Sequence, residues 1–156
     1  MKRTSIKNFG GLTYVTVTNI PLKQTEFGDV IDMEPRELEK LVAMALIEHK
    51  IPVRGAEFRI MKSAVGLSNE SIAKQLGISR NTVLKWGKET ARRLPSPYEM
   101  LVRVLVAESL GMELVATIAE LKAGNKAKAI SLKAACPLSY RLSEGSLPKR
   151  NCRPPH

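Results

Sequence analysis

The chain has 156 residues, 44% of them apolar and only 4% aromatic, enough for one medium domain or two small ones around an aliphatic core. Its net charge of +10 points to a polyanionic partner, either nucleic acid or an anionic membrane surface. A transmembrane span is excluded, since the longest uninterrupted apolar run, Leu41–Ile47, falls far short of the roughly 20 residues needed.

Basic Met1-Lys2-Arg3 is followed by no apolar signal region, so the expected location is the cytoplasm. Residues 11–33 read as strands. Leu12-Thr13-Tyr14-Val15-Thr16-Val17-Thr18 is rich in β-branched residues, and Asn19-Ile20-Pro21 is expected to interrupt it. Further short strands fit 22–26 and 29–33, turning at Phe27-Gly28-Asp29. A helix follows at about 35–49. Pro35 suits its first position, and Leu38, Leu41, Val42, Ala45 and Leu46 fall on one face. His49, alone at its end, reads as a solvated residue beside the helix dipole.

Pro52 breaks that helix, and five more are expected at about 54–65, 69–76, 80–89, 96–110 and 112–122. Residues 124–156 show no apolar period and read as a flexible basic tail. Its Cys136 and Cys152 read as unpaired thiols, with too few ligands for a metal site. The expected fold is mainly α: a small β-module plus a helix over 1–50, a five-helix domain over 51–123, and the tail over 124–156.

Charge is unevenly distributed. Residues 54–95 hold nine Lys and Arg against three Asp and Glu, and residues 124–156 hold seven against one. Inside the first block lies Leu67-Ser68-Asn69-Glu70-Ser71-Ile72-Ala73-Lys74-Gln75-Leu76-Gly77-Ile78-Ser79-Arg80-Asn81-Thr82-Val83-Leu84-Lys85-Trp86. Ser68 and Ser79 stand where helix caps belong. Ala73 is small where two helices must cross, and Gly77 suits a left-handed turn. Ile72, Leu76, Val83 and Trp86 face inward. This leaves Arg80, Asn81, Thr82 and Lys85 exposed as candidate base-reading residues, because Arg can pair with guanine and Asn with adenine across the major groove. Asn69, Ser79, Lys88, Arg92 and Arg93 are the candidate phosphate ligands.

At these residues the sequence resembles the Cro/lambda-repressor-like helix-turn-helix superfamily. The resemblance extends through Tyr14-Val15-Thr16-Val17-Thr18-Asn19-Ile20-Pro21 and Arg54-Gly55-Ala56-Glu57-Phe58-Arg59 to the MqsA-like antitoxins of bacterial type II toxin–antitoxin operons, over roughly residues 12–122. It implies a cytoplasmic, autoregulatory repressor of a near-palindromic operator in double-stranded DNA, with a possible cognate toxin. Members with a zinc finger carry paired cysteines in the amino-terminal module. This chain has none before Cys136, so no zinc site is expected there.

Ser96 and Glu99 have capping-box spacing, with Pro97 at the first helical position. The run Leu101-Val102-Arg103-Val104-Leu105-Val106-Ala107 is apolar nearly all round, so a homodimer interface is expected at Leu101, Val104 and Leu105. No catalytic constellation and no cofactor motif is evident, so an enzyme is not expected. Two alternatives remain: an antitoxin whose main role is to bind and neutralise a toxin, and a phage-type repressor with no toxin partner. An RNA-binding repressor would call for clustered aromatics, and the seven present are scattered.

Overall fold

The computed structural model describes residues 2–114, 116–124 and 129–133. In chain order it contains β1 (Arg3–Lys7), a 3-10 turn (Phe9–Gly11), β2 (Val15–Thr25), β3 (Gly28–Ile31), α1 (Pro35–Glu48), α2 (Gly55–Val65), α3 (Asn69–Leu76), α4 (Arg80–Lys88), α5 (Ser96–Ser109), α6 (Ile118–Ala123) and β4 (Ile130–Lys133). The protein is mainly helical with a small sheet, as its composition and periodicity imply.

Strand β2 organises the sheet. It pairs antiparallel with β1 and with β3, and parallel with β4. Asn19-Ile20-Pro21 does not interrupt β2. Asn19 adopts a left-handed conformation (φ 59°), and the register against β1 slips between Thr4↔Ile20 and Ile6↔Val17. One extra residue therefore sits on the β2 side, forming a β-bulge. Alternation along a strand would otherwise turn Ile20 away from Val15 and Val17. The bulge restores it to their face, and all three are buried.

Two elements depart from the sequence reading for lack of local signal. β1 was not anticipated, and its burial alternates only between exposed and half-buried. β4 lies where a structureless tail was expected. Its Ile130 and Leu132 are buried and register with Val15 and Val17. Cys136, Cys152 and the rest of residues 134–156 lie outside the described residues.

The buried side chains of β2, α1, α2, α3, α4, α5 and β4 form one apolar cluster. Within it Trp86 is 7% exposed and stands between Phe58 (5.8 Å between centroids, edge to face) and Tyr98 (5.5 Å). The start of α2 is laced to the segment after α4. Gly55 N donates to the Arg92 carbonyl (3.2 Å), Ala56 N to that of Thr90 (3.1 Å), and Leu94 N to that of Val53 (2.9 Å). The approach is close enough that a Cβ on Gly55 would lie 2.3 Å from the Trp86 carbonyl oxygen.

Helix α5 corrects two expectations. Ser96 is not its cap; Pro95 occupies that position and no side chain caps the helix. Glu99 is buried instead, accepting from Val53 N (2.7 Å) and from Arg93 Nε and Nη2 (2.8 Å each). A long-range backbone donor and a guanidinium have outcompeted the local cap. Arg103 is also fully buried. Its Nη2 donates to the Ile51 carbonyl and its Nε lies 4.0 Å from Glu99, while Nε and Nη1 make no hydrogen bond. Burial pulls the Arg103 pKa down, Glu99 opposes that shift, and Arg93 reinforces it. The capping box occurs instead at α6, where the Thr117 side chain accepts from Glu120 N and Glu120 accepts from Thr117 N (3.1 Å each). Helix α6 is accordingly shorter than the expected 112–122 and begins only after Thr117.

Candidate nucleic-acid interface

Helices α3 and α4 have the caps expected of them. Ser68 accepts from Ser71 N (3.1 Å), and Ser79 accepts from Thr82 N (3.2 Å). Between the helices Gly77 takes φ 69° and donates its N–H to the Ala73 carbonyl, ending α3 with the backbone turn that lacks a penalty only for glycine. The connection is thus three residues, Gly77, Ile78 and Ser79, and Val83 and Trp86 bury the inner side of α4.

The outer side of α4 carries exposed Arg80, Asn81, Lys85 and Lys88, with no acidic residue within the helix. Residues 81, 85 and 88 share a face at three- and four-residue spacing, with Arg80 at its N-terminal edge. Lys85 is 3.9 Å from Glu89, which also pairs with Arg92 at 3.3 Å. These contacts are solvent-exposed and weakly held, so Lys85 and Arg92 can exchange them for another anion. Thr82 is half-buried, and its hydroxyl lies 2.8 Å from that of Ser79, so both hydroxyls are engaged in the cap.

Two of the candidate phosphate ligands are held by neighbours. Lys62 Nζ donates to Asn69 Oδ1 (2.7 Å), leaving Asn69 only its amide N–H groups. The Arg93 guanidinium makes its bidentate pair with buried Glu99, and Nη2 also donates to the Leu121 carbonyl (3.0 Å). The hydrogen bond to Glu99 raises the Arg93 pKa. Arg93 therefore ties the end of the 88–95 segment to α5 and α6; it does not stand free for a phosphate. The dipeptide Arg92-Arg93 gives no local clue that its members diverge, because the partner of Arg93 lies in the next helix.

Three features of this region add detail that the sequence leaves open, although Arg54 or Arg59 can be read there as a phosphate contact or as a solvated cation. The aliphatic stem of Arg59 in α2 passes Gly87 of α4, with Cγ 3.9 Å from where a Cβ would stand, which brings another exposed cation beside α4. Lys62 lies over the Phe58 ring (5.7 Å to the centroid), and burial followed by the Arg59 charge lowers its pKa. Below them, Arg54 Nε donates to buried Glu57 (2.7 Å), beside the Tyr14 hydroxyl, whose pKa is raised by burial and then by the Glu57 charge.

On α5, Leu101 and Val104 are 46% and 48% exposed, while Leu105 is half-buried and packs on the core. The outward apolar face is narrower than the sequence implies, because Val102, Arg103, Val106 and Ala107 turn inward. Among the described residues no helix is long and apolar enough to cross a membrane, and no cluster of three or more His, Cys, Asp or Glu is placed to hold a metal. The chain matches no protein-family model, and neither a curated protein nor a solved structure proves similar to it.

Proposed function

We propose that the protein is a sequence-specific regulator that binds double-stranded DNA and reads the major groove with α4, in the manner of helix-turn-helix proteins. The observation that carries this reading is the capped α3–α4 pair, which leaves Arg80, Asn81, Lys85 and Lys88 together on the outward side of one short helix. A recognition helix contacts base edges through its N-terminal residues, where Arg80 and Asn81 stand. Lys88, Arg92 and Arg59 flank it as phosphate ligands, which fix orientation without reading sequence.

So short a helix reads few base pairs, and a unique operator then calls for two copies of the protein. Leu101 and Val104 are the outward apolar side chains through which α5 would pair in a two-fold homodimer. A near-palindromic site with half-sites about 34 Å apart, or a multiple of that, follows.

The test is selection from a randomised duplex library with the full chain. The wild type should enrich one symmetric sequence, and Arg80→Ala or Asn81→Ala should weaken binding to it by about 1–3 kcal/mol. No enrichment would sink the proposal. Equal losses on selected and random duplexes would reassign both residues to backbone contact. Val104→Glu should split the dimer in sedimentation and abolish tight operator binding while the monomer remains helical.

A second reading, an antitoxin whose main partner is a toxin protein, is favoured by the β2–β3 hairpin. Phe27 at its tip is 93% exposed, and Val30 and Ile31 beside it are exposed as well. It calls for Phe27→Ser to abolish co-purification with the product of the neighbouring reading frame while operator affinity is unchanged.

A further inference from the structure

The outward side of α4 contains one residue whose chemistry does not match its neighbours. Leu84 is apolar, yet it lies three residues after Asn81 and four before Lys88, at the spacing that groups helix positions on one face. It is half-buried, and it is not among the partly buried apolar side chains packed on the core, whereas Leu76 and Ile78 just before α4 are. Val83 and Trp86 already bury the inner side of the helix. Leu84 thus stands outside the core cluster and interrupts a cationic surface with a branched aliphatic group.

We propose that Leu84 is a specificity-determining residue that reads the 5-methyl group of thymine. This rests on the DNA-binding reading above and deepens it. Among the unmodified bases, the thymine C5-methyl is the one methyl group on the major-groove edge; guanine and adenine present hydrogen-bonding atoms there, and cytosine its N4 donor beside a small C5 hydrogen. Arg80 and Asn81 are suited to guanine and adenine. Leu84 follows Arg80 by about 6 Å along the helix axis, at 1.5 Å per residue. That distance is of the order of two base-pair steps of about 3.4 Å. A leucine there gains contact area only where a thymine methyl meets it, and it places apolar surface against polar edges at any other base.

The experiment uses the full chain and the duplex selected by the wild type. Each thymine is replaced in turn by uracil, which removes the methyl and keeps the pairing edge and the O4 acceptor. In each half-site one such replacement should weaken wild-type binding about fourfold, the worth of one buried methyl group. Leu84→Ala should weaken binding to the thymine duplex and be indifferent to uracil at that position, with its thermal melting within a few degrees of wild type. A Leu84→Met variant, still apolar and still a strong helix former, should regain part of the thymine preference. If no thymine shows a uracil effect that disappears in Leu84→Ala, or if the selected site holds no thymine, the inference fails while major-groove reading by Arg80 and Asn81 stands. If the wild type enriches no sequence, both fail together, and that outcome is distinguished at the first step.

Discussion

Arginines on α4 and α5 meet opposite fates. Arg80 is exposed at the start of α4, with no acidic residue in its own helix. Arg103 is enclosed in the core beside Glu99, with two of its nitrogens unpaired. Arg93, in the segment between the helices, is half-buried and likewise held by Glu99, whereas Arg92 stays exposed. A basic count by itself therefore overstates the surface available to a polyanion. What separates the two fates is whether a buried carboxylate waits nearby, and Glu99 is the only acidic residue in the α5 interior.

Glu99 sets these fates apart. Glu99→Ala leaves two guanidiniums without their shared counter-charge and strands Val53 N, so it should destabilise the fold by about 3–5 kcal/mol. Arg103→Met should lie within about 1 kcal/mol of wild type or be more stable, because it removes a desolvated, half-satisfied cation and keeps its volume. Urea unfolding of both variants measures the contrast. Equal losses would show that Arg103 supports the core as much as Glu99 does. Arg80→Ala, by contrast, should leave unfolding unchanged and act only on the proposed DNA binding.

The exposed side of α4 rests on a weaker support. Ser79→Ala removes the cap of α4 and should cost about 1 kcal/mol in thermal or urea unfolding. The same variant should weaken the proposed operator binding, because Arg80 and Asn81 follow directly on that cap. Retained affinity in a destabilised variant would mean that the outward side of α4 does not depend on how the helix starts.

The smallest expected effect lies at α6. The hydrogen bond from Thr117 N, and then Lys50 at 3.3 Å, hold the Glu120 carboxyl below the usual glutamate range. A depressed carboxyl contributes stability above its unfolded pKa of about 4.3 and loses it as pH falls through the lower folded value. Glu120→Gln should therefore melt slightly below wild type at neutral pH, and the two should converge in acid. A difference that grows on acidification would contradict this.

The helices from α1 to α4 were legible because their signals are local: Pro35 at a start, Ser68 and Ser79 as caps, Gly77 past an end. The exposed side of α4 was legible for the same reason, since helical spacing alone sorts Arg80, Asn81 and Lys85 from Val83 and Trp86. What failed depended on distant partners. β1 and β4 exist only through pairing with β2, Glu99 chose Arg93 and Val53 over a cap one turn away, and Arg103 was read as one polar residue in an apolar run. The bulge at Asn19 was hidden because asparagine and proline together resemble a strand end, and only the register against β1 reveals that the strand continues.

The parallel pairing of β4 with β2 joins residues 115 apart, as in Val15↔Ile130. During synthesis from the amino terminus, β2 emerges from the ribosome long before its neighbour exists. At about 5–20 residues per second, that edge waits roughly 6–23 s for its partner. Every helix among the described residues can form in that interval, so this flank of the sheet is the last part of the described fold to close. A nascent chain stopped before residue 130 presents unpaired backbone along Val15–Thr18, the kind of edge that a second unfinished chain, or a chaperone, can cover.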